Sequence, residues 1–579
     1  MTRWLAATAL IVAVASAPRA AHACGGFFCN NVPIDQSGER VLFAVNDGVV
    51  TAHIQIIYKG AAEKFAWVLP IPAIPTVNVG TDALFNALGN RTQPSFQVEW
   101  QYNDGCYFYG GGGFAEDADG GPPNAGGGPK SGGVEVVAAG EVGPYDYKVI
   151  QGTSDDSGEA VFQWLQDNGY DQPDIAKDLV TTYVAEHHVF VAVKLLKDAD
   201  VGSIQPLVLN YPLPAGCVPL RLTSIAATED MDVWVYMLGQ SRAVPVNFFH
   251  VEVSEPHIDW INYGSNYKEV ARKAIDSAAG RGFLTEFAGD TNDMKGVIWS
   301  PGKFDVSTLE TKTTPWEFYQ ALLNWVNYGF PVTGQTRTLL RKYIPMPQAL
   351  KDQQMNEQQF YNSLQQYKDQ LAPFDPKAFA AELDELVLKP MEEASKLFDE
   401  YRYMTRLYTV ISPSEMVRDP IFQFNPDLPN VSNVHKATGH AICAPGKNEP
   451  EKVIVTLSDG TELSYKGPFY DYQNPPVLEG ADAFGGEAKA VERMYTAGPP
   501  EAVKAVDVPK VEKEFDKITV GLIVSETPNG GKPVTTTHPG TGTDSGSCAA
   551  GSGTPWTGIA LLGLALFAAA ALLRRRARE

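Results

Sequence analysis

Apolar and polar residues alternate strictly along residues 50–58. Val50, Ala52, Ile54, Ile56 and Tyr58 fall on one side, and Thr51, His53 and Gln55 on the other. A period of two is the mark of a half-buried strand. Residues 39–70 therefore predict a β-meander, with Asn46-Asp47-Gly48 as the turn between its first two strands. Phe65 to Leu69 is apolar on both faces and runs into Pro70 and Pro72, which predicts a buried strand stopped by proline. Further strands are expected at 95–102, 188–196, 218–223, 231–238 and 244–253, with short helices at 159–168 and 173–184. Residues 110–133 interrupt them with a glycine-rich loop.

From about 264 to 411 the pattern turns helical. Helices are expected at 316–328, 348–371 and 376–388. The strongest stripe runs over 391–408, through Met391, Ala394, Leu397, Phe398, Tyr401, Met404, Leu407 and Tyr408. Residues 420–525 return to strands, including 452–457 and 518–524. The expected class is α+β, a β-rich body with a helical segment packed on it. Its stretches are 24–255, 256–415 and 416–525.

The two ends read differently. Residues 1–23 combine Arg3, an apolar run from Leu5 to Ala17, and Ala21-His22-Ala23 before Cys24, the pattern of a secretory signal peptide. Cys24 also stands where a lipoprotein carries its lipid, although Ala21 and His22 replace the residues a lipobox favours. Residues 526–555 are rich in Gly, Pro, Thr and Ser and read as a flexible stalk containing Cys548. Trp556 to Leu573 gives 18 uncharged residues, and at 1.5 Å per residue about 27 Å, enough for a transmembrane helix. Arg574, Arg575, Arg576 and Arg578 in the tail 574–579 place that end in the cytoplasm and the body outside.

Composition narrows the function. The chain has 579 residues, 44% of them hydrophobic and 20% charged, as a folded globular protein requires. Its net charge is −22. Nucleic-acid binding needs a concentrated basic footprint, which the body lacks. Five cysteines precede the stalk: Cys24, Cys29, Cys106, Cys217 and Cys443. Export favours disulfides among them, with Cys24 and Cys29 the nearest pair in sequence.

The opening Cys24-Gly25-Gly26-Phe27-Phe28-Cys29 is followed further on by Met404-Thr405-Arg406-Leu407-Tyr408, Ser412-Pro413-Ser414-Glu415-Met416 and Asp419-Pro420-Ile421-Phe422. Together these resemble the bacterial domain of unknown function 2330, over residues 24 to about 445. The resemblance implies an envelope setting and brings no catalytic residues. The tail from Cys548, with its apolar helix and arginines, resembles the MYXO-CTERM sorting signal of myxobacteria and their relatives. That implies cleavage near Cys548 by a membrane-embedded sorting protease, with attachment through the modified cysteine. A plain transmembrane anchor is the rival.

Candidate chemistry is sparse. His435, His440 and Cys443, in HKATGHAIC, are spaced five and three apart and form a weak metal candidate. His250, Glu252, His257 and Asp259 could converge from a strand and its turn, and Glu116, Asp117 and Asp119 could hold calcium. The pair His187-His188 reads as ordinary surface or core histidine. The GTDSG run at Gly542–Gly546 lies in the stalk, where nothing fixes a nucleophile's geometry. No G-x-S-x-G, H-E-x-x-H or P-loop pattern occurs. No catalytic residue and no cofactor is expected. The sequence thus predicts an exported, envelope-anchored surface protein of a Gram-negative bacterium, a binding or structural protein rather than an enzyme. An exported hydrolase with an illegible site is the alternative.

Overall fold

The computed structural model describes residues 35–59, 65–101, 133–170, 173–196, 204–444, 447–469 and 476–518. The signal segment, most of the glycine-rich loop, the stalk, the 556–573 span and Cys24, Cys29, Cys106 and Cys548 lie outside them. Among the described residues no helix is long and apolar enough to cross a membrane.

The hairpin forms as its alternation dictates. β1 (Asp35–Asn46) and β2 (Val49–Lys59) pair through Val45↔Val50. Asp47 and Gly48 have φ of 47° and 76°, the two positive values that let a two-residue turn follow the strand twist. β3 (Ala66–Ile71) leaves this sheet, so the expected meander is a hairpin plus a crossing strand. β4 (Thr76–Val79) and, after the helix Asp82–Thr92, β5 (Ser95–Gln101) follow. Then come β6 (Val134–Val142), β7 (Tyr145–Gly152) and, beyond the helices Gly158–Asp167 and Ala176–Ala185, β8 (Val189–Leu195).

The middle of the chain supplies β9 (Leu207–Pro212), β10 (Gly216–Cys217), β11 (Ala227–Gly239), β12 (Arg242–Pro245) and β13 (Phe249–Val253). The helix Tyr267–Asp276 precedes β14 (Gly282–Asp290). A helical stretch to Glu400 follows, its longest members Pro315–Asn327 and Lys389–Glu400. The remaining strands are β15 (Tyr403–Ile411), β16 (Ile421–Asn425), β17 (Val434–Cys443), β18 (Pro450–Leu457), β19 (Glu462–Lys466), β20 (Val477–Leu478), β21 (Ala488–Arg493) and β22 (Glu501–Ala502). The helix Val508–Phe515 comes last among the described elements.

A ten-stranded sheet in the order β22-β21-β13-β14-β15-β11-β1-β2-β9-β4 organises the molecule. It takes strands from all three stretches of the chain. β1 lies parallel to β11 and β13 parallel to β14, and the sheet's other neighbouring pairs run antiparallel. One face carries Val50, Ala52, Ile54 and Ile56 against the four-stranded sheet β3-β8-β7-β6. The other carries Leu42, Ala44, Tyr236, Leu238 and Met404 beneath the helices Asp82–Thr92 and Lys389–Glu400. The helical stretch has its own core around Phe318, Leu322 and Phe379. The five-stranded sheet β20-β19-β18-β17-β5 packs Phe96, Ala441 and Val453 with Trp260.

Several elements differ from expectation: the helix expected over 348–371 breaks into the helices Gln348–Asp352 and Glu357–Asn362 and the 3-10 turn Leu364–Gln370, and three further differences have physical reasons. β3 runs through Pro70 to Ile71, because it is an edge strand and an edge tolerates a missing N–H. Residues 220–223 form one helical turn between β10 and β11 where a strand was expected. The helical stripe of 391–408 ends at Glu400, and residues 403–411 form a central strand between β14 and β11. Met404 to Ile411 is buried on both faces, so it shows no alternation and continues the helical pattern by accident.

A buried acid on β1 sits inside the larger core. Glu39 on β1 is 1% exposed, with Gln36 Nε2 at 3.3 Å from its carboxylate. Burial raises its pKa to about 7, against smaller opposing contributions from the Gln36 and Thr223 hydrogen bonds.

Candidate functional site

The motif residues Arg406, Tyr408 and Asp419 are interior. On β15, period two sends Met404, Arg406 and Tyr408 to the same face of the large sheet. Arg406 Nε lies 2.5 Å from Glu286 Oε2, and both residues are buried. Burial raises the Glu286 pKa, and the Arg406 charge and the Tyr267 hydroxyl, which hydrogen-bonds it, hold it down. The Tyr408 hydroxyl donates to Asp232 at 2.7 Å, and Lys268 Nζ meets the same carboxylate at 2.7 Å. The Tyr408 ring stacks between Trp234 and Tyr267, at 5.6 and 6.3 Å.

Asp419 is fully buried and accepts from the Tyr183 hydroxyl, from Arg221 Nε and Nη2, and from the Arg221 backbone N–H. Arg221 also holds Glu186 at 2.7 Å and lies over the Tyr183 ring. Each of these charges is matched by neighbours on separate elements. Such pairs contribute little net stability when intact and cost roughly 3–5 kcal/mol when one partner is removed. Their chemistry is that of clamps. None opens on either of the two grooves described below.

The histidine and cysteine candidates are not brought together. Residues 434–443 form β17, and alternate side chains on a strand point to opposite faces. His435 and His440, five apart, therefore take opposite faces, as do His440 and Cys443, three apart. His435 and Cys443 share a face but stand about 27 Å apart along the strand. His435 Nδ1 pairs with Glu255 Oε1 at 2.7 Å, and its ring stacks on Phe96 at 4.8 Å. No group of three or more His, Cys, Asp or Glu among the described residues could hold a metal.

The second set is likewise dispersed. His250 is buried between Glu492, at 2.9 Å from Nδ1, and Thr285, at 3.1 Å from Nε2. Glu252 pairs with Lys489 at 3.0 Å. His257 Nε2 donates to the Gly485 carbonyl, and Asp259 accepts from Asn262 and Ser265 within its own turn. His187 meets Asp155 at 3.3 Å at the surface, whereas His188 is buried, its pKa lowered to about 3 chiefly by burial. Glu116, Asp117 and Asp119 lie outside the described residues, as do Cys24, Cys29 and Cys548.

Two open grooves lie among the described residues. One, of about 380 Å³, crosses the exposed face of the five-stranded sheet beside Gln97, Glu99, Lys436, Thr438, Thr456 and Ser458. The other, of about 450 Å³, lies along the helix Pro315–Asn327. Its walls are Thr311, Lys312 and Thr313 on one side and Trp316, Gln320 and Asn324 on the other, with the small Ala321 beside them. The last three recur at i, i+4 and i+8 and so form one ridge of the helix, about 12 Å long.

The chain entering this helix is fixed. Thr314 Oγ1 accepts from the Glu317 N–H, and Glu317 Oε2 accepts from the Thr313 and Thr314 N–H groups and the Thr313 hydroxyl. This capping box fixes Thr313 and Thr314 at the head of the helix, and Thr311–Thr313 line the groove's second wall. These hydrogen bonds keep the Glu317 pKa low. Lys312, Trp316, Gln320 and Asn324 have no side-chain hydrogen-bond or ionic partner among the described residues.

Sequence reasoning passed over this groove. In PWEFYQALLNWVN the indole and the two amides read as the ordinary polar face of an amphipathic helix. Their i, i+4, i+8 spacing was the available signal. Sequence reasoning also missed Arg221, Glu286 and Tyr183, whose partners lie on distant segments.

Residues 18–298 match a family described as an uncharacterized protein conserved in bacteria, DUF2330. The match covers the N-terminal motif and stops short of the 404–422 motifs. No curated protein and no solved structure matches the chain.

Proposed function

We propose that this chain is an exported protein whose folded body is displayed at the outer surface of a Gram-negative cell and acts by binding rather than catalysis. The observation that carries the binding part is a contrast. The histidines and acids that sequence analysis singled out, where described, are mostly engaged by structural partners or set apart on opposite strand faces. Among the described residues, Lys312, Gln320 and Asn324, whose side chains have no hydrogen-bond partner, line an open groove instead. A hydrolytic site needs the reverse, an acid, base or nucleophile poised together in a cleft.

The export part rests on the residues of 1–23 and of 548–579. In this reading Cys548 is where a sorting protease acts and where the mature protein is attached, and the apolar segment 556–573 is removed. The similarity of residues 18–298 to a bacterial family is in keeping with it. Disulfides belong to the same reading, and the bonded state of Cys217 and Cys443 supports them.

Intact-mass analysis of the protein recovered from the cell surface is the test. A mature form that starts at Cys24 and ends near Cys548 is expected, and Cys548→Ala should leave the longer form in the inner membrane. A surface form that retains Arg574 to Glu579 overturns the sorting step. A protein found only in the cytoplasm overturns the whole reading.

A further inference from the structure

We propose that the groove along the helix Pro315–Asn327 binds a short oligosaccharide, stacked on Trp316 and hydrogen-bonded by Gln320, Asn324 and Lys312. The proposal rests on the reading of the body as a binding protein and names the ligand class for one of its grooves.

The argument starts from what the groove offers. Trp316 is half-buried, so its indole is held by packing against the helical core while part of the ring borders the groove. It stacks on no other ring among the described residues, whereas in the same helical core Phe304 contacts Trp299, Trp325 and Phe330. An aromatic face left open beside exposed amides is amphipathic. It suits a ligand with an apolar face and polar edges.

The polar groups narrow the choice. Gln320 and Asn324 are exposed, and each side-chain amide both donates and accepts. Lys312 adds donors from the facing wall. Sugar hydroxyls also donate and accept, so a pyranose can satisfy such a set with its hydroxyl edge while its C–H face covers the indole. The ridge of about 12 Å repeats every 6 Å or so, which accommodates two or three linked rings. A groove of about 450 Å³ falls within the range of small-ligand sites.

Other ligand classes fit less well. An extended peptide needs free backbone donors at a sheet edge, and a helix wall has none to give. A helical peptide needs an apolar groove, and this one is polar on both walls. A nucleic acid would meet a chain of net charge −22.

The experiment uses the full-length protein in a detergent with no sugar headgroup, titrated calorimetrically with chitotriose and, separately, with maltotriose. Binding of at least one trisaccharide at a single site is expected. Gln320→Ala/Asn324→Ala should weaken it by at least about tenfold. Both positions are exposed, so this variant should fold as the parent does. Trp316→Ala should weaken binding by at least the same factor, and Trp316→Phe should retain more of it than Trp316→Ala. If neither sugar binds, or if the double variant binds as the parent does, the proposal is overturned. A failure of this kind, alongside the expected mature mass at the cell surface, would sink the ligand class and leave the export reading standing.

Discussion

Replacing Glu39 with Gln should stabilise this protein at alkaline pH and change it least in acid. Glu39 is 1% exposed in the middle of the large sheet's core, and burial raises its carboxyl pKa to about 7 from 4.5. In the unfolded chain the same group ionises near 4.5. Between those values the folded state holds a proton that the unfolded state has released, so stability falls as pH rises. The favourable contribution is fully present below pH 4.5 and is lost once pH passes about 7. At 1.36 kcal/mol per pH unit, the gap corresponds to about 3 kcal/mol. Gln has nearly the same shape, cannot ionise, and can still meet Gln36 and Thr223. The stability difference between Glu39→Gln and the parent should therefore shift by about 3 kcal/mol in the variant's favour between pH 4 and pH 8. Urea unfolding followed by tryptophan fluorescence at intervals across that range measures it. Other titrating groups, such as Asp82 with a pKa raised to about 6 by burial, act in both proteins and cancel. A difference that stays flat with pH would refute the assignment of a proton to buried Glu39.

Three further outcomes are expected. Arg406→Ala strands Glu286 in the core and should cost about 3–5 kcal/mol in urea unfolding, whereas Arg406→Met/Glu286→Leu should recover most of the loss; equal losses in both would show that the charge is not the issue. Gly264→Ala places a methyl 2.2 Å from Phe96 at a φ of 79°, and should lower thermal stability and disturb the Phe96–His435 stack, as a shift in the His435 NMR signals would report. Non-reducing peptide mapping should recover Cys217 and Cys443 in disulfide-linked peptides, and free alkylation of either one without reductant would contradict this.

What could be read from the sequence was local. Val50, Ala52, Ile54 and Ile56 announce their face because the other side of the hairpin is polar, and Asp47-Gly48 announces its turn because few residues accept two positive φ values. β15 could not be read this way, since a strand covered on both faces carries no alternation. The strand itself explains why the His435, His440 and Cys443 grouping does not assemble. Odd spacings that would suit a helix or loop separate side chains on a pleated ribbon. The clamps were illegible for a different reason. Arg221 and Asp419 are neighbours across 198 positions, and Glu286 and Arg406 across more than a hundred, so no local window contains both charges. The groove by Trp316 is legible only once Thr311–Thr313 is known to line it together with the helix.

The strand order of the large sheet has a consequence for how the protein is made. β1 and β2 are among the first elements to be synthesised, yet β1's other edge waits for β11, where Val41 meets Val235, and β11 in turn waits for β15, where Val235 meets Leu407. A growing chain thus carries an unpaired, apolar strand edge through roughly two hundred residues of synthesis, and the centre of the sheet closes only after some four hundred. At about 5–20 residues per second, that exposure lasts tens of seconds. Unpaired edges of this kind invite association with other chains, so the strand order itself sets an aggregation hazard that lasts until β11 pairs with β1. Folding this body is an act of its last third upon its first.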